Sequence, residues 1–111
     1  MKLIILDRDG VINQDRDDFV KSADEWIPIA GSMDAIAFLT EAGYTVAVAT
    51  NQSGIGRKYF TMQELTEMHN KMHRLAQQAG GGIDGIWFCP HTAADGCDCR
   101  KPLPGMVSDI L

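Results

Sequence analysis

The sequence predicts an α/β fold with a mostly parallel sheet, because short aliphatic runs alternate with helical patterns. The runs at 3–6, 44–49 and 83–88 have the length and composition of strands. Between them, the segments after Ser32 and Thr61 place apolar residues at helical spacing. Strands that alternate with helices along one chain are typical of a parallel sheet covered by helices.

In the first half of the chain, the sequence predicts a strand, a long loop and a helix. The continuous aliphatic run 3–6 predicts a strand that is buried on both faces. Residues 13–30 hold scattered acids with a few aromatic and aliphatic residues, which indicates a long loop or small flap, and Trp26 in it is expected at the edge of the core. Ser32 is expected to be the N-cap of the first helix, and Gly43 to follow its C-terminus.

The second half adds a longer helix and an unusual end. Thr61 and Glu64 have the spacing of a capping box, and apolar residues keep helical spacing as far as Ala79. A third strand and a loop over 89–104 follow. After Pro104 the residues resemble the start of a helix that has no capping signal before the chain stops. We therefore expect this sequence to be part of a longer protein.

Composition limits the classes of function. The chain has 111 residues, 45% of them hydrophobic, which suits one globular domain. Its net charge of −5 argues against a nucleic-acid or anionic-membrane partner. Four apolar residues before Asp7 are too few for a signal peptide or a membrane span, so a cytoplasmic location is predicted.

Asp7 and Asp9 follow the first predicted strand, and Thr50 and Asn51 follow the second. Ligands of parallel sheets bind beyond the carboxyl ends of the strands, so these four residues are expected at one edge. Two adjacent carboxylates suit Mg²⁺ and phosphoryl transfer, with one acid attacking phosphorus and the other moving a proton. On spacing alone, a turn cap at Asp7 with an exposed Asp9 is an equal alternative.

The three cysteines all lie between positions 89 and 99, beside a histidine. Three thiols and one imidazole form a complete tetrahedral ligand set for a structural Zn²⁺. Three unrelated reduced thiols are the alternative. The predicted zinc ligands are Cys89, His91, Cys97 and Cys99.

His69 and His73 are four residues apart on the predicted helix, which is also a metal-ligand spacing. No acid accompanies them as in HExxH, so ordinary surface or half-buried histidines are the favoured interpretation. Arg57 follows a glycine-rich turn, SGIG, from which it could reach a sugar or a second phosphate.

Three motifs together resemble those of the haloacid dehalogenase superfamily of phosphohydrolases. DRDGVIN is similar to its first motif, VATNQSGIGR to its second and CRKP to its third, in the family's order. The likeness is greatest to the bacterial heptose-bisphosphate 7-phosphatases, with histidinol-phosphate phosphatases as near relatives. It implies a Rossmann-like, three-layer α/β/α fold with one domain over 1–111 and a zinc-binding loop at 89–99.

The resemblance also implies an activity, which is Mg²⁺-dependent removal of the 7-phosphate of D-glycero-D-manno-heptose 1,7-bisphosphate in lipopolysaccharide core biosynthesis. Asp7 would be the nucleophile and a magnesium ligand. Asp9 would be the general acid/base, with its backbone carbonyl as a second ligand. Lys101 would stabilise charge on the intermediate. The substrate-binding residues would be Thr50, Asn51, Arg57, Arg100 and Lys101.

One part of the family pattern has no counterpart in the sequence. The superfamily's fourth motif ends in acids that complete the magnesium site, and nothing after Lys101 matches it. The parent protein is therefore expected to be a monomeric phosphatase, and this chain a truncated form that could self-associate through an exposed sheet edge. Histidinol-phosphate phosphatase and an inactive, zinc-stabilised phosphate-binding fragment are the alternatives.

Overall fold

The computed structural model describes residues 2–92, 96–97, 99, 101 and 105–110. Its strands form one parallel sheet in the order β1-β2-β3, which confirms the predicted α/β class. The elements in chain order are β1 (Lys2–Leu6), α1 (Ser32–Glu41), β2 (Tyr44–Asn51), α2 (Ser53–Gly56), α3 (Met62–Gln78), β3 (Gly85–Cys89) and α4 (Gly105–Ile110).

Helices cover both faces of the sheet. On one face, α1 and α3 pack with the loop before α1 over Val46 and Val48 of β2, and Trp26 is fully buried in this core as expected. On the other face, Met106 of α4 packs against Ala49 and Cys89. Alternate residues of β2 thus contribute to opposite cores, as the two-residue period of a strand requires. The three-layer arrangement expected from the sequence is confirmed.

The prediction that the first strand is buried on both faces is wrong. Residues 3–6 are half-buried, whereas residues 46–50 of β2 are buried. The reason lies in the strand order, because β2 is central and β1 has a strand partner on one side only within the described residues. Self-association through this edge stays a prediction.

Two predicted boundaries also differ from the structure. Gly31, not Ser32, is the N-cap of α1, with φ at 87° and no side-chain cap. The Ser32 hydroxyl instead donates to the carbonyl of Ile12 at 2.7 Å, which ties the helix to the preceding loop. The third strand begins at Gly85 rather than residue 83, because the Asp84 carboxylate accepts the backbone N–H of Val46 at 2.7 Å.

The long helix α3 follows its sequence signals closely. Thr61 and Glu64 form the predicted capping box, with each side chain bonded to the other's backbone N–H. The residues at helical spacing that face the sheet are Leu65, Met68, Met72 and Ala76. His69 is also buried on α3, whereas His73 is half-buried. Among the described residues, no helix is both long and apolar enough to cross a membrane.

Gly81 offers a test of how closely the end of α3 approaches α1. A Cβ atom at Gly81 would lie 2.8 Å from the backbone N and Cα of Ala37, whereas one at Gly82 would meet nothing within 4 Å. We expect Gly81→Ala to lower the free energy of unfolding by about 1–3 kcal/mol through overpacking. The matched Gly82→Ala control should change it by less than about 1 kcal/mol. Urea unfolding of both variants measures the difference, and equal effects would contradict the close approach.

Candidate active site

The carboxyl ends of β1 and β2 bring the predicted acids and the second motif to one place. The strands pair in parallel, with Leu6 opposite Val48, so Asp7 emerges beside the end of β2. A cavity of about 330 Å³ opens there, and we call it the aspartate cavity. Its lining residues are Asp7, Asp9, Asp15, Arg16, Phe19, Thr50, Asn51, Ser53 and Lys101.

Asp7 is paired with Lys101 through one of its two oxygens. Lys101 Nζ lies 2.9 Å from Asp7 Oδ1, which also accepts the backbone N–H of Arg8 at 2.8 Å. The ammonium group is held in turn by the carbonyl of Ala49 at 2.8 Å. Within the described part of the chain, no donor reaches Asp7 Oδ2, and the side chain is 48% exposed. One carboxylate oxygen therefore faces the cavity with its lone pairs available.

Asp9 has a different environment, because both of its oxygens accept hydrogen bonds. Oδ1 accepts from Arg8 Nε at 3.1 Å, Arg8 Nη2 at 2.8 Å and Asn13 Nδ2 at 2.9 Å. Oδ2 accepts from Gln52 Nε2 at 2.9 Å. These partners fix the carboxylate, and the sequence analysis predicted none of them.

Arg8 connects Asp9 to the long helix. Its side chain is fully buried, and Nη1 lies 3.2 Å from His69 Nε2. Burial, the positive charge of Arg8 and the neighbouring His73 lower the pKa of His69 from 6.5 to about 3. His69 is therefore neutral at physiological pH, and its imidazole can accept a hydrogen bond from the guanidinium.

Thr50 and Asn51 lie at the end of β2, where the sequence placed them. The Thr50 hydroxyl is buried and accepts from Gln52 Nε2 at 2.9 Å. The Asn51 side chain was expected to hold phosphate, but its amide is engaged by the backbone of Lys101. Asn51 Nδ2 donates to the Lys101 carbonyl at 3.2 Å, and Asn51 Oδ1 accepts from its N–H at 2.9 Å. This amide pair positions Lys101 beside Asp7.

Of the two predicted arginines, only Arg57 is described, and an arginine that was not predicted lines the cavity. Arg57 is exposed and does not line the aspartate cavity, and Arg100 lies outside the described residues. Arg16 lines the cavity and bonds Asp18 at 3.1 Å. Its hydrogen bond, followed by that of Lys21, lowers the pKa of Asp18 to about 2. The charged stretch DRDD was the only sequence signal for Arg16.

The two aspartates also offer oxygen ligands for a hard cation. Asp7 Oδ2 is available, and within the described residues no backbone N–H donates to the carbonyl of Asp9. A carboxylate oxygen and a backbone carbonyl at the rim of one cavity suit Mg²⁺, which retains several waters and takes few protein ligands. The donor set present therefore fits magnesium.

The four predicted zinc ligands form one cluster. The ligand atoms of Cys89, His91, Cys97 and Cys99 all lie within 4.8 Å of one another. His91 Nδ1 is 3.4 Å from Cys99 Sγ, and Cys89 Sγ is 3.5 Å from Cys97 Sγ. Three sulfurs and one nitrogen this close fit a tetrahedral Zn²⁺. The Sγ atoms of Cys89 and Cys99 are also in contact as in a disulfide, with their Cα atoms 5.6 Å apart, which leaves Cys97 as a free thiol.

Known proteins resemble the chain in sequence. The model of the family described as polynucleotide kinase 3 phosphatase matches residues 2–111. The chain is 83% identical, over 100% of its length, to D-glycero-beta-D-manno-heptose-1,7-bisphosphate 7-phosphatase of Neisseria meningitidis, and spans 59% of that protein. It is 37% identical, over 100% of its length, to a probable D-glycero-D-manno-heptose-1,7-bisphosphate 7-phosphatase of Thermoplasma volcanium, and spans 75% of it.

A solved structure resembles the chain equally clearly. The crystal structure of D,D-heptose 1.7-bisphosphate phosphatase from B. bronchiseptica, complexed with magnesium and phosphate, superposes with a TM-score of 0.97 at 62% identity. The match covers 99% of this chain and 62% of that chain. Fold and matches together place the chain in the haloacid dehalogenase superfamily. The chain belongs to the polynucleotide kinase 3 phosphatase family, and the relatives described above are heptose-1,7-bisphosphate 7-phosphatases.

The low pKa of His69 predicts how stability depends on pH. The unfolded chain protonates His69 below about pH 6.5, but the folded chain does so only near pH 3. Stability must therefore fall as the pH falls between these values, by up to about 1.4 kcal/mol per pH unit from this group. His69→Gln should flatten that slope, whereas His73→Gln should leave most of it. Denaturant unfolding at several pH values measures it, and an unchanged slope in His69→Gln would refute the assignment.

Proposed function

We propose that the protein is a Mg²⁺-dependent phosphatase that removes the 7-phosphate of D-glycero-D-manno-heptose 1,7-bisphosphate through an aspartyl-phosphate intermediate. The observation that carries this proposal is Asp7, which presents a free Oδ2 to the cavity while Oδ1 is paired with Lys101. The substrate is inferred from the names of the relatives. The chain spans 59% of the Neisseria relative, so the activity proposed is that of the whole protein.

In the first step, the Asp7 carboxylate attacks phosphorus while the bond from phosphorus to the sugar oxygen breaks. Asp9, protonated at the start of the step, gives its proton to the departing sugar oxygen. In the second step, a water molecule attacks the phosphorus of the aspartyl-phosphate and Asp9 takes one of its protons. Inorganic phosphate leaves, and the Asp7 carboxylate is restored. Covalent catalysis with proton transfer replaces one difficult displacement by two easier ones.

The remaining residues of the cavity balance charge on the phosphoryl group. Lys101 Nζ is adjacent to the attacking carboxylate, so it is placed to offset the oxygens of the intermediate. The Thr50 hydroxyl is proposed as a phosphate contact from the end of β2. Magnesium, held by Asp7 and the Asp9 carbonyl, would neutralise phosphate charge. Arg57 and Arg100 stay predicted contacts to the rest of the substrate.

Zinc is proposed as a structural ion in the cysteine cluster. A full set of four protein ligands leaves no open position for substrate, so its role would be to hold the loop that carries Lys101. Cys89 ends β3 directly beside Asn51 of β2, which binds the Lys101 backbone. The cluster is thus linked to the aspartate cavity through short contacts. A small-molecule substrate, a cytoplasmic location and a role in lipopolysaccharide core synthesis complete the proposal.

The function is tested by phosphate release from heptose 1,7-bisphosphate in the presence of Mg²⁺, with histidinol phosphate as the competing substrate. Asp7→Asn should reduce turnover by at least about a thousand-fold, because it removes the nucleophile. Asp17→Asn, which alters an exposed acid outside the aspartate cavity, is the matched control and should keep activity. Phosphoenzyme trapped by acid quench should appear in the control and be absent in Asp7→Asn.

Three results would contradict this assignment. Appreciable turnover by Asp7→Asn would show that another group attacks phosphorus. Faster hydrolysis of histidinol phosphate than of heptose bisphosphate would move the substrate to the related phosphatases. Binding of either compound by the unaltered protein without turnover would indicate a phosphate-binding module instead.

The zinc proposal is tested by metal analysis of two histidine variants. His91→Ala removes one ligand of the cluster, so we expect it to lose most of its zinc and to unfold at lower temperature. His73→Ala alters a histidine outside the cluster and should retain the metal. Thiol titration is the second readout. A Cys89–Cys99 disulfide with one free thiol and no zinc in the unaltered protein would overturn the proposal.

A further inference from the structure

Arg8 stands between the two aspartates but points away from their cavity. In the stretch DRD, the side chain of Arg8 lies in the core, whereas Asp7 and Asp9 line the cavity. Arg8 and Met68 are 0% exposed, and His69 is 8% exposed. A buried guanidinium is costly unless its N–H groups are hydrogen-bonded, and Arg8 has the partners needed. Such a group in a small core calls for a functional explanation.

The contacts of Arg8 define the chemical state of His69. A guanidinium carries five donors and no acceptor, so His69 Nε2 must accept the bond from Arg8 Nη1. The imidazole is then neutral, with its proton on Nδ1. The depressed pKa of His69 agrees with this geometry. Arg8 Nε and Nη2 are both directed to Asp9 Oδ1, so Arg8 joins helix α3 to the carboxylate.

The two oxygens of Asp9 accept different numbers of hydrogen bonds. Oδ1 accepts three hydrogen bonds, two from Arg8 and one from Asn13, whereas Oδ2 accepts one, from Gln52. A carboxylate oxygen has two lone pairs, so Oδ1 is saturated and Oδ2 keeps capacity for a proton.

We propose that Arg8 and His69 are positioning residues that hold Asp9 so that Oδ2 is the oxygen that carries the catalytic proton. The inference rests on the proposed function, because it assumes that Asp9 is the general acid/base. During ester cleavage the Oδ2–H bond breaks, and its proton moves to the departing sugar oxygen. During hydrolysis of the intermediate, a proton of the attacking water returns to Oδ2. Arg8 stays bound to Oδ1 throughout.

The arrangement is tested first without any substitution, by ¹⁵N NMR of the histidine-labelled protein. The chain has three histidines, so the His69 signals can be assigned by their loss in His69→Gln. We expect a protonated Nδ1 and an unprotonated, hydrogen-bonded Nε2 at pH 7. A doubly protonated ring, or the tautomer with the proton on Nε2, would overturn the proposal.

The role is tested by replacing the acceptor in the full-length protein. His69→Leu removes the acceptor at similar volume, His69→Gln retains one, and His73→Leu is the control on the same helix. The single-turnover rate of leaving-group release is measured for heptose bisphosphate and for p-nitrophenyl phosphate. A sugar alkoxide leaves poorly and needs the acid, whereas nitrophenolate leaves with little help.

We expect His69→Leu to slow release from the sugar phosphate by about 10- to 100-fold, a part of the usual contribution of general acid catalysis. Release from p-nitrophenyl phosphate should change by less than about three-fold, because that leaving group needs little protonation. His69→Gln should recover most of the rate, and His73→Leu should match the unaltered protein. Equal losses on both substrates would show that His69 is only structural and would overturn the proposal.

These outcomes separate the inference from the proposed function. If the unaltered protein cleaves p-nitrophenyl phosphate but not heptose bisphosphate, the substrate assignment fails, and another alkyl phosphate takes its place in the comparison. If it cleaves no ester, the proposed function fails, and with it the role of Asp9 that the inference requires. If His69→Leu does not fold, the ¹⁵N NMR result for the unaltered protein decides.

Discussion

The site depends on balancing the negative charges of two neighbouring carboxylates. Asp7 and Asp9 are two residues apart, so their negative charges repel one another unless each is balanced. The structure gives each its own cation, with Lys101 2.9 Å from Asp7 and Arg8 2.8 Å from Asp9. One cation comes from the loop after β3 and the other from the core. The two acids therefore have unlike surroundings, as the proposed nucleophile and the proposed proton carrier require.

The cation of Asp7 is held by the sheet and by the cysteine loop together. Lys101 Nζ bonds the carbonyl of Ala49, and its backbone bonds the Asn51 amide, so β2 fixes both ends of the residue. Cys89 pairs with Asn51 in the sheet, which places the cysteine cluster one strand away. The zinc proposed for this cluster would order a loop that has little apolar surface to pack.

Most of the fold could be predicted, because the signals for its elements are local. The aliphatic runs, the Thr61–Glu64 capping box and the glycines after the helices identify the elements from a few residues each. The two wrong boundaries occurred where a distant contact replaced a local rule. The Ser32 hydroxyl donates to the Ile12 carbonyl instead of capping its own helix. The Asp84 carboxylate accepts the backbone N–H of Val46, and the third strand begins only after it.

The candidate site also has some features that the sequence predicted and others that it did not. Asp7, Asp9, Thr50 and Lys101 line one cavity, because motifs at the ends of adjacent parallel strands must meet there. Asn51 also lines the cavity, and its amide binds the backbone of Lys101, a contact that the sequence did not predict. Arg16 lines the cavity, whereas Arg57 does not. Side chains in loops can reach several targets from one backbone position, so spacing does not reveal which one they contact.

The sequence by itself determined the order of elements, the edge of the sheet where the acids gather and the residue types that cluster in the cysteine loop. These depend on periodicity and on residue type within short windows. Only the tertiary structure decided which cation serves which carboxylate, and that His69 lies against Arg8 across 61 positions of the chain. The hydrogen-bond partner of a buried polar group depends on which distant elements pack against it. That choice is made by the whole fold, and no local pattern of residues encodes it.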